Sequence, residues 1–302
     1  MQPDEHVPFQ QDVAEAGQGL SHASWTARLD LRFEPDPQGG AGASVANQVA
    51  TRLRHRHEGP LRIQKALYPE GASPCHAVIV HPPGGIAGGD RLDVRIDSRP
   101  GSHGLVTTPS AAKWYGSAAD HPAFQSVHIL LDGALEWLPQ ETIVFNRAEV
   151  RSDILVRAGS DASMIGWDHL IFGRRACGES FQQGDFRQSL RIEIDGRVVW
   201  HDRLVLRGAD ALFDSPIGLR GHHAFATLWA LLPAAAHWKE SAVEALRAES
   251  PAVAWTVLHE RLLVGRILAN PLELKPLMAR AWSALRPPVI GKPAVAPRLW
   301  AT

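Results

Sequence analysis

Short segments in which apolar and polar residues alternate recur along this chain from Trp25 to Asp195, with no helical periodicity between them. In the first, Trp25, Ala27, Leu29, Leu31 and Phe33 alternate with Thr26, Arg28, Asp30 and Arg32. The same pattern returns at Leu92/Val94/Ile96, Val127/Ile129/Leu131 and Leu190/Ile192/Ile194. A period of two places every apolar side chain on one face of a strand. Turn signals such as Pro100-Gly101, Asp132-Gly133, Ala158-Gly159 and Asp195-Gly196 separate the segments. Many short strands without intervening helices argue for a predominantly β body and against a parallel α/β sheet.

The last third changes character. Ser241 to Glu249 and Ala252 to Ala269 are predicted as helices. A third helix opens at Asn270-Pro271, with Glu273 at the capping-box position, and is expected to stop near Arg286, before Pro287-Pro288. The expected fold class is therefore α+β, mostly β. It comprises a loose N-terminal tail over 1–24 and one unit over 25–302, β-rich over 25–215 and helical over 222–290.

Charge and composition exclude several functions. Lys+Arg 31 against Asp+Glu 32 leaves a net charge of −1, without the basic excess that phosphate binding demands. Only 5 lysines stand beside 15 histidines, so arginine carries the permanent positive charge and histidine a large metal-ligating capacity. Cys75 and Cys177 fit neither a disulfide framework nor a paired zinc motif. Met1 to Gly19 has no Lys, no Arg and no apolar run, so no secretory signal is expected. The longest apolar stretch, Ala224 to Ala236, is broken by Pro233 and falls short of the roughly 20 residues of a membrane span. A cytoplasmic protein is expected.

Familiar catalytic motifs fail for physical reasons. Gly84 and Gly89 have phosphate-loop spacing, but Asp90 stands where a lysine would meet phosphate. His259-Glu260 opens like a zinc-protease helix, but Leu263 occupies the second histidine position. Within the stretch 70–90, Glu70, Cys75, His76, His81 and Asp90 can all bind a divalent metal, although no interval matches a closed site. His55, His57, His222 and His223 read as solvated loop residues. Lys113 lies among small residues and the aromatics Trp114 and Tyr115. Glu136 and Glu141 interrupt an apolar pair of strands, and a buried carboxylate needs a partner. Asp168 and Arg174 are expected to form an ion pair.

These blocks together resemble the UreD (UreH) family of urease accessory proteins. The matching segments are Tyr68-Pro69-Glu70, Cys75-His76, the ten residues from His81 to Asp90 (HPPGGIAGGD), Ala111 to Tyr115, Glu136 to Glu141, Gly178-Glu179 and the closing Pro297-Arg298-Leu299-Trp300. The resemblance implies a β-helix-like coil of short strands with C-terminal helices. It implies no enzymatic activity and no nucleotide. It implies a complex with UreF, UreG and apo-urease, and transient handling of nickel on its way to the urease centre. Residues of the matching blocks would then line an internal nickel path: Asp90 foremost, with Glu70, Asp168, Glu179, His76 and His81, and with Lys113 and Arg174 balancing charge. A carboxylate suits this role because it is a labile oxygen ligand. Gly116 and Asn146 depart from the common family pattern, where Arg and Asp often stand. The alternatives are a metal-dependent enzyme using His76, His81 and Asp90, and an interaction module without a metal role.

Overall fold

The alternation has a simple structural cause: all four alternating segments fall in one sheet with a packed face and a solvent face. The structure, a computed structural model, describes residues 24–37, 49–117 and 121–301; the expected tail lies outside them except for Ser24. The chain opens with β1 (Thr26–Asp36), β2 (Ala50–Glu58), β3 (Arg62–Leu67), β4 (Cys75–Val80) and β5 (Arg91–Ser98). It continues through β6 (His103–Thr107), β7 (Ala112–Trp114), β8 (Ala123–Leu131), β9 (Ala134–Leu138) and β10 (Thr142–Val144). Then follow β11 (Glu149–Ala158), β12 (Ser163–Phe172), β13 (Asp185–Ile194), β14 (Arg197–Arg207) and β15 (Ala224–Leu231). The last elements are α1 (Glu240–Glu249), β16 (Ala254–His259), β17 (Leu262–Leu268) and α2 (Pro271–Ile290).

The first sheet has the order β14-β13-β11-β8-β5-β1-β2, and the second β16-β17-β15-β12-β9-β6-β4-β3, with β10 and β7 branching from β12. From β5 to β13 the chain crosses repeatedly from one sheet to the other, pairing in parallel within each. That winding is the β-helix-like coil the resemblance implied, and the class is α+β, mostly β. One core fills the space between the sheets. A second lies on the outer side of the second sheet, where α1, α2, Trp167, Trp255 and Trp282 pack.

Three sequence expectations are corrected. The helix expected over Ala252–Ala269 is a hairpin, β16 and β17 joined at Glu260-Arg261. Thr256, Val257, Val264 and Ile267 favour a strand. Gly265 lets the Trp255 ring lie against the backbone, where a Cβ would come within 2.5 Å of it. α2 keeps the expected Asn270/Glu273 capping box but runs through Pro287-Pro288 to end at Gly291, in the left-handed region at φ 73°. His55 and His57 face solvent from the edge strand β2 rather than from a loop.

Gly166 on β12 pairs with Trp229 on β15, and a Cβ there would lie 2.2 Å from the buried indole. Gly166→Ala is therefore expected to destabilise the fold by about 1–3 kcal/mol. Urea unfolding followed by tryptophan fluorescence checks this; an unchanged midpoint contradicts the close packing.

Candidate functional site

A cavity of about 70 Å³, room for a few waters, lies between the two sheets. It crosses the strands, touching β5, β8, β11 and β13 on one side and β7, β9, β10 and β12 on the other. Its walls are apolar except for Thr108, Gln125, Gln140, Thr142, Ser152, Asp168 and Gln188. Asp168 reaches it from β12 and is buried. Its Oδ2 accepts a hydrogen bond from Gln188 Nε2 at 2.5 Å. No Lys or Arg among the described residues pairs with it, and burial pushes its carboxyl above the usual range, against the Gln188 hydrogen bond. The expected Asp168–Arg174 pair is absent: Arg174 binds Glu179 instead, with Nη2 to Oε2 at 2.6 Å.

Glu70 and His76 belong to a different arrangement. The β3–β4 connection supplies Glu70, β4 His76, β6 His103, β9 Glu136, and α2 both Trp282 and Arg286. Arg286 is completely buried and bridges two carboxylates. Its Nη1 and Nη2 donate to Glu70 Oε2 and Oε1, each at 2.8 Å. Nε and Nη2 donate to Glu136 at 3.0–3.1 Å, and Nη1 reaches the Pro293 carbonyl at 2.6 Å. His76 Nε2 lies 3.0 Å from Glu70 Oε1, His103 Nε2 3.0 Å from Glu136 Oε1, and Trp282 Nε1 donates to Glu136 Oε2 at 2.7 Å. Burial disfavours the charge on Glu70, but the His76 and Arg286 hydrogen bonds outweigh it and hold its carboxyl at about 2. Glu136 is lowered in the same way, with His103 and Arg286 overcoming burial. Both carboxylates are saturated by protein donors.

Asp90 is also fully engaged. Its Oδ1 accepts the Trp25 amide at 2.7 Å and its Oδ2 the Ala87 amide at 2.8 Å. The stretch His81–Asp90 thereby becomes a brace, linking the start of β1 to β7 through Ile86, whose amide donates to the Lys113 carbonyl at 2.7 Å. Gly85 lies so close under Tyr115 that a Cβ would come within 2.2 Å of its ring. His81 is half-buried, its Nε2 has no hydrogen-bond partner among the described residues, and burial lowers its pKa against the pull of Asp90.

Glu179 takes Arg174 and the Asn146 amide, the latter at 3.2 Å. Asn146 Oδ1 accepts the amides of Gln182 and Gln183 at 2.9 and 2.8 Å, work that a carboxylate oxygen could also do. Gly116 packs on the Asn146 carbonyl, which a Cβ would approach to 2.4 Å, so the two departures from the family pattern are neighbours. Lys113 pairs with no carboxylate among the described residues. Of the six metal candidates, then, the structure joins only Glu70 with His76. Asp168 alone lines the interior cavity. Arg286, His103 and Gln188 went unnoticed in the sequence; the one signal was Arg286 itself, a charge inside the apolar face of α2.

A family model described as UreD urease accessory protein matches residues 26–301. The urease accessory protein UreD of Pseudomonas fluorescens (strain Pf0-1) is 44% identical over 286 residues, covering 92% of this chain and 96% of its own. Those of Pseudomonas savastanoi pv. phaseolicola and Dechloromonas aromatica are each 40% identical, over 290 and 284 residues. They cover 95% and 92% of this chain, and 99% and 95% of their own. The chain belongs to the UreD family of urease accessory proteins.

Glu70 is held at about 2 against an ordinary 4.5. Its ionised form therefore stabilises the fold fully above about pH 4.5, and that share is lost as pH falls toward 2. Arg286→Met leaves two buried carboxylates without their cation and is expected to cost roughly 3–5 kcal/mol at neutral pH. The loss shrinks toward about pH 4, because the orphaned carboxylates take up protons. Urea unfolding at both pH values checks this; an equal loss at each contradicts the bridging role.

Proposed function

We propose that this UreD-family protein has no catalytic activity of its own. It acts in the cytoplasm as a scaffold and nickel conduit, joining the UreF/UreG complex to apo-urease. Nickel is cargo here, bound and passed on. The observation that carries the reading is Asp168, a buried carboxylate in an interior cavity whose side-chain hydrogen-bond partner among the described residues is the amide of Gln188, with no cation beside it there. Such a group gains most from a passing cation, because a buried carboxylate without a counter-charge is costly. Oxygen donors release divalent ions readily, which suits transfer rather than storage. Gln125, Gln140, Ser152 and Gln188 add neutral oxygen donors along the same cavity. Metal binding at Asp168 would expel any proton the buried carboxyl carries, so loading is expected to weaken as pH falls.

Nothing among the described residues favours the enzyme alternative: no three His, Cys, Asp or Glu side chains are grouped to hold a metal. His76 is engaged with Glu70, and Asp90 with two backbone amides.

In a strain lacking the native gene, Asp168→Ala and Asp168→Asn are expected to co-purify with UreF, UreG and apo-urease as the unaltered protein does. The nickel content and specific activity of urease should fall severalfold. Full nickel loading with either variant overturns the conduit, and loss of the complex with both points to an interaction module instead.

A further inference from the structure

The solvent face of the first sheet carries a groove of about 670 Å³, remote from the interior cavity. It crosses five strands, β2, β1, β5, β8 and β11. With about 4.8 Å between neighbouring strands it runs roughly 19 Å, the reach of about six residues of extended chain. The strand register sets its side chains in rows across the sheet. One row is Arg56, Asp30, Arg95, His128 and Leu155. The next is Arg54, Arg32, Asp97, Leu130 and Arg157. Arginine therefore outnumbers aspartate along the groove, although the whole chain is nearly neutral.

The arginine heads stand above the carboxylates that hold them. The side chains of Arg32, Arg54 and Arg157 are 53–62% exposed, whereas those of their partners Asp97, Glu34 and Glu193 are 13–21% exposed. What reaches water is therefore mainly positive. Each of these three arginines donates through Nε alone among the described residues, which leaves both Nη groups for a further acceptor. Arg95, exposed in the middle of the groove, makes no ion pair or hydrogen bond among the described residues. A guanidinium presents its donors in a planar fork that matches a carboxylate. The existing pairs are surface pairs of small individual worth, so they do not bar a second acceptor. Leu130, 51% exposed between Asp97 and Arg157, offers an apolar contact at the same place.

These features suit an acidic chain better than other anions. No Phe, Tyr or Trp lines the groove for bases to stack on. The adjoining row of the same face holds Glu58, Asp93 and Asp153, which repel a uniformly charged phosphate chain. Residues 1–23 of this chain are a poor match, with no more than two carboxylates in any six consecutive positions. We propose that the groove docks a short acidic segment of a partner protein, about six residues of extended chain with an aliphatic side chain for Leu130 and carboxylates for Arg95 and its neighbours. Which protein of the urease machinery carries the segment rests on the scaffold reading; that the groove takes an acidic chain does not.

The test is fluorescence anisotropy of a fluorescein-labelled hexapeptide, EELEEE, titrated with the full-length protein at low salt. The neutral peptide QQLQQQ and a hexathymidylate serve as comparison probes. Variants are Arg95→Gln/Arg157→Gln and Leu130→Ala, with Arg280→Gln, exposed on α2, as a control. The acidic peptide is expected to bind and the neutral one not. Affinity should fall roughly tenfold or more in the double arginine variant and severalfold in Leu130→Ala, and stay unchanged in the control. It should also weaken as NaCl is raised. NMR of the native protein gives the same answer without any substitution: the ring protons of His55 and His128, which line the groove, should shift with added peptide, and those of His237 should not. Absence of binding at low salt, equal affinity in native and double-variant proteins, or hexathymidylate binding as tightly as the acidic peptide overturns the proposal. Binding that emerges only after removal of residues 1–23 gives the groove to the chain's own tail and overturns it too. The peptide reads the groove alone, so its failure leaves the conduit standing, and full nickel loading with Asp168→Ala leaves the groove standing.

Discussion

The buried guanidinium of Arg286 is the interaction on which the C-terminal third depends. It holds α2 to β9 through Glu136 and to the β3–β4 connection through Glu70, residues 150 and 216 positions away in the chain. Each charge alone would be costly in this interior, and together they leave one excess negative charge that Trp282, His76 and His103 hydrogen-bond. The arrangement also explains why α2 passes through Pro287. The residue before a proline is biased away from helical backbone, but Arg286 is held by its fork of hydrogen bonds. With α2 fixed, the C-terminal segment has a surface to lie on.

What the sequence disclosed about the fold follows from which faces meet water. The first sheet keeps one face in solvent, so β1, β5, β8 and β13 alternate and were legible. The second sheet is covered on both faces over much of its area. β15 is buried at every residue and β12 at nearly every one, and neither shows a period. Ala224–Leu231 therefore read only as an apolar stretch. The β16–β17 hairpin was mistaken for a helix because an apolar run flanking a charged pair fits both periods. The β-branched residues Thr256, Val257, Val264 and Ile267 tip the balance toward a strand, and the tertiary Gly265–Trp255 contact fixes it.

The site was legible in part. Glu136 stood out as a carboxylate in an apolar strand, and the expectation that it needs a partner is met by Arg286, His103 and Trp282. No local rule could connect it to a residue 150 positions later. Asp90 illustrates the opposite case. A string as distinctive as His81–Asp90 invites a chemical role, yet in the fold its carboxylate is spent on two backbone amides and its glycines on close approaches to Tyr115 and Ser117. Asp168 drew attention beside Arg174, but the cavity and Gln188, not the arginine, define its surroundings. Distinctive sequence marks positions where the fold has no latitude, and only some of those are chemical.

The conduit account makes one physical demand above the others: nickel that travels inside the protein must be hidden from the solvent. The most direct measurement is transfer from nickel-charged UreG, assembled with UreF, this protein and apo-urease, in the presence of excess EDTA. The account predicts that urease still acquires nickel when the complex is assembled before the chelator is added. Complete loss of transfer under those conditions, with the complex intact, contradicts it.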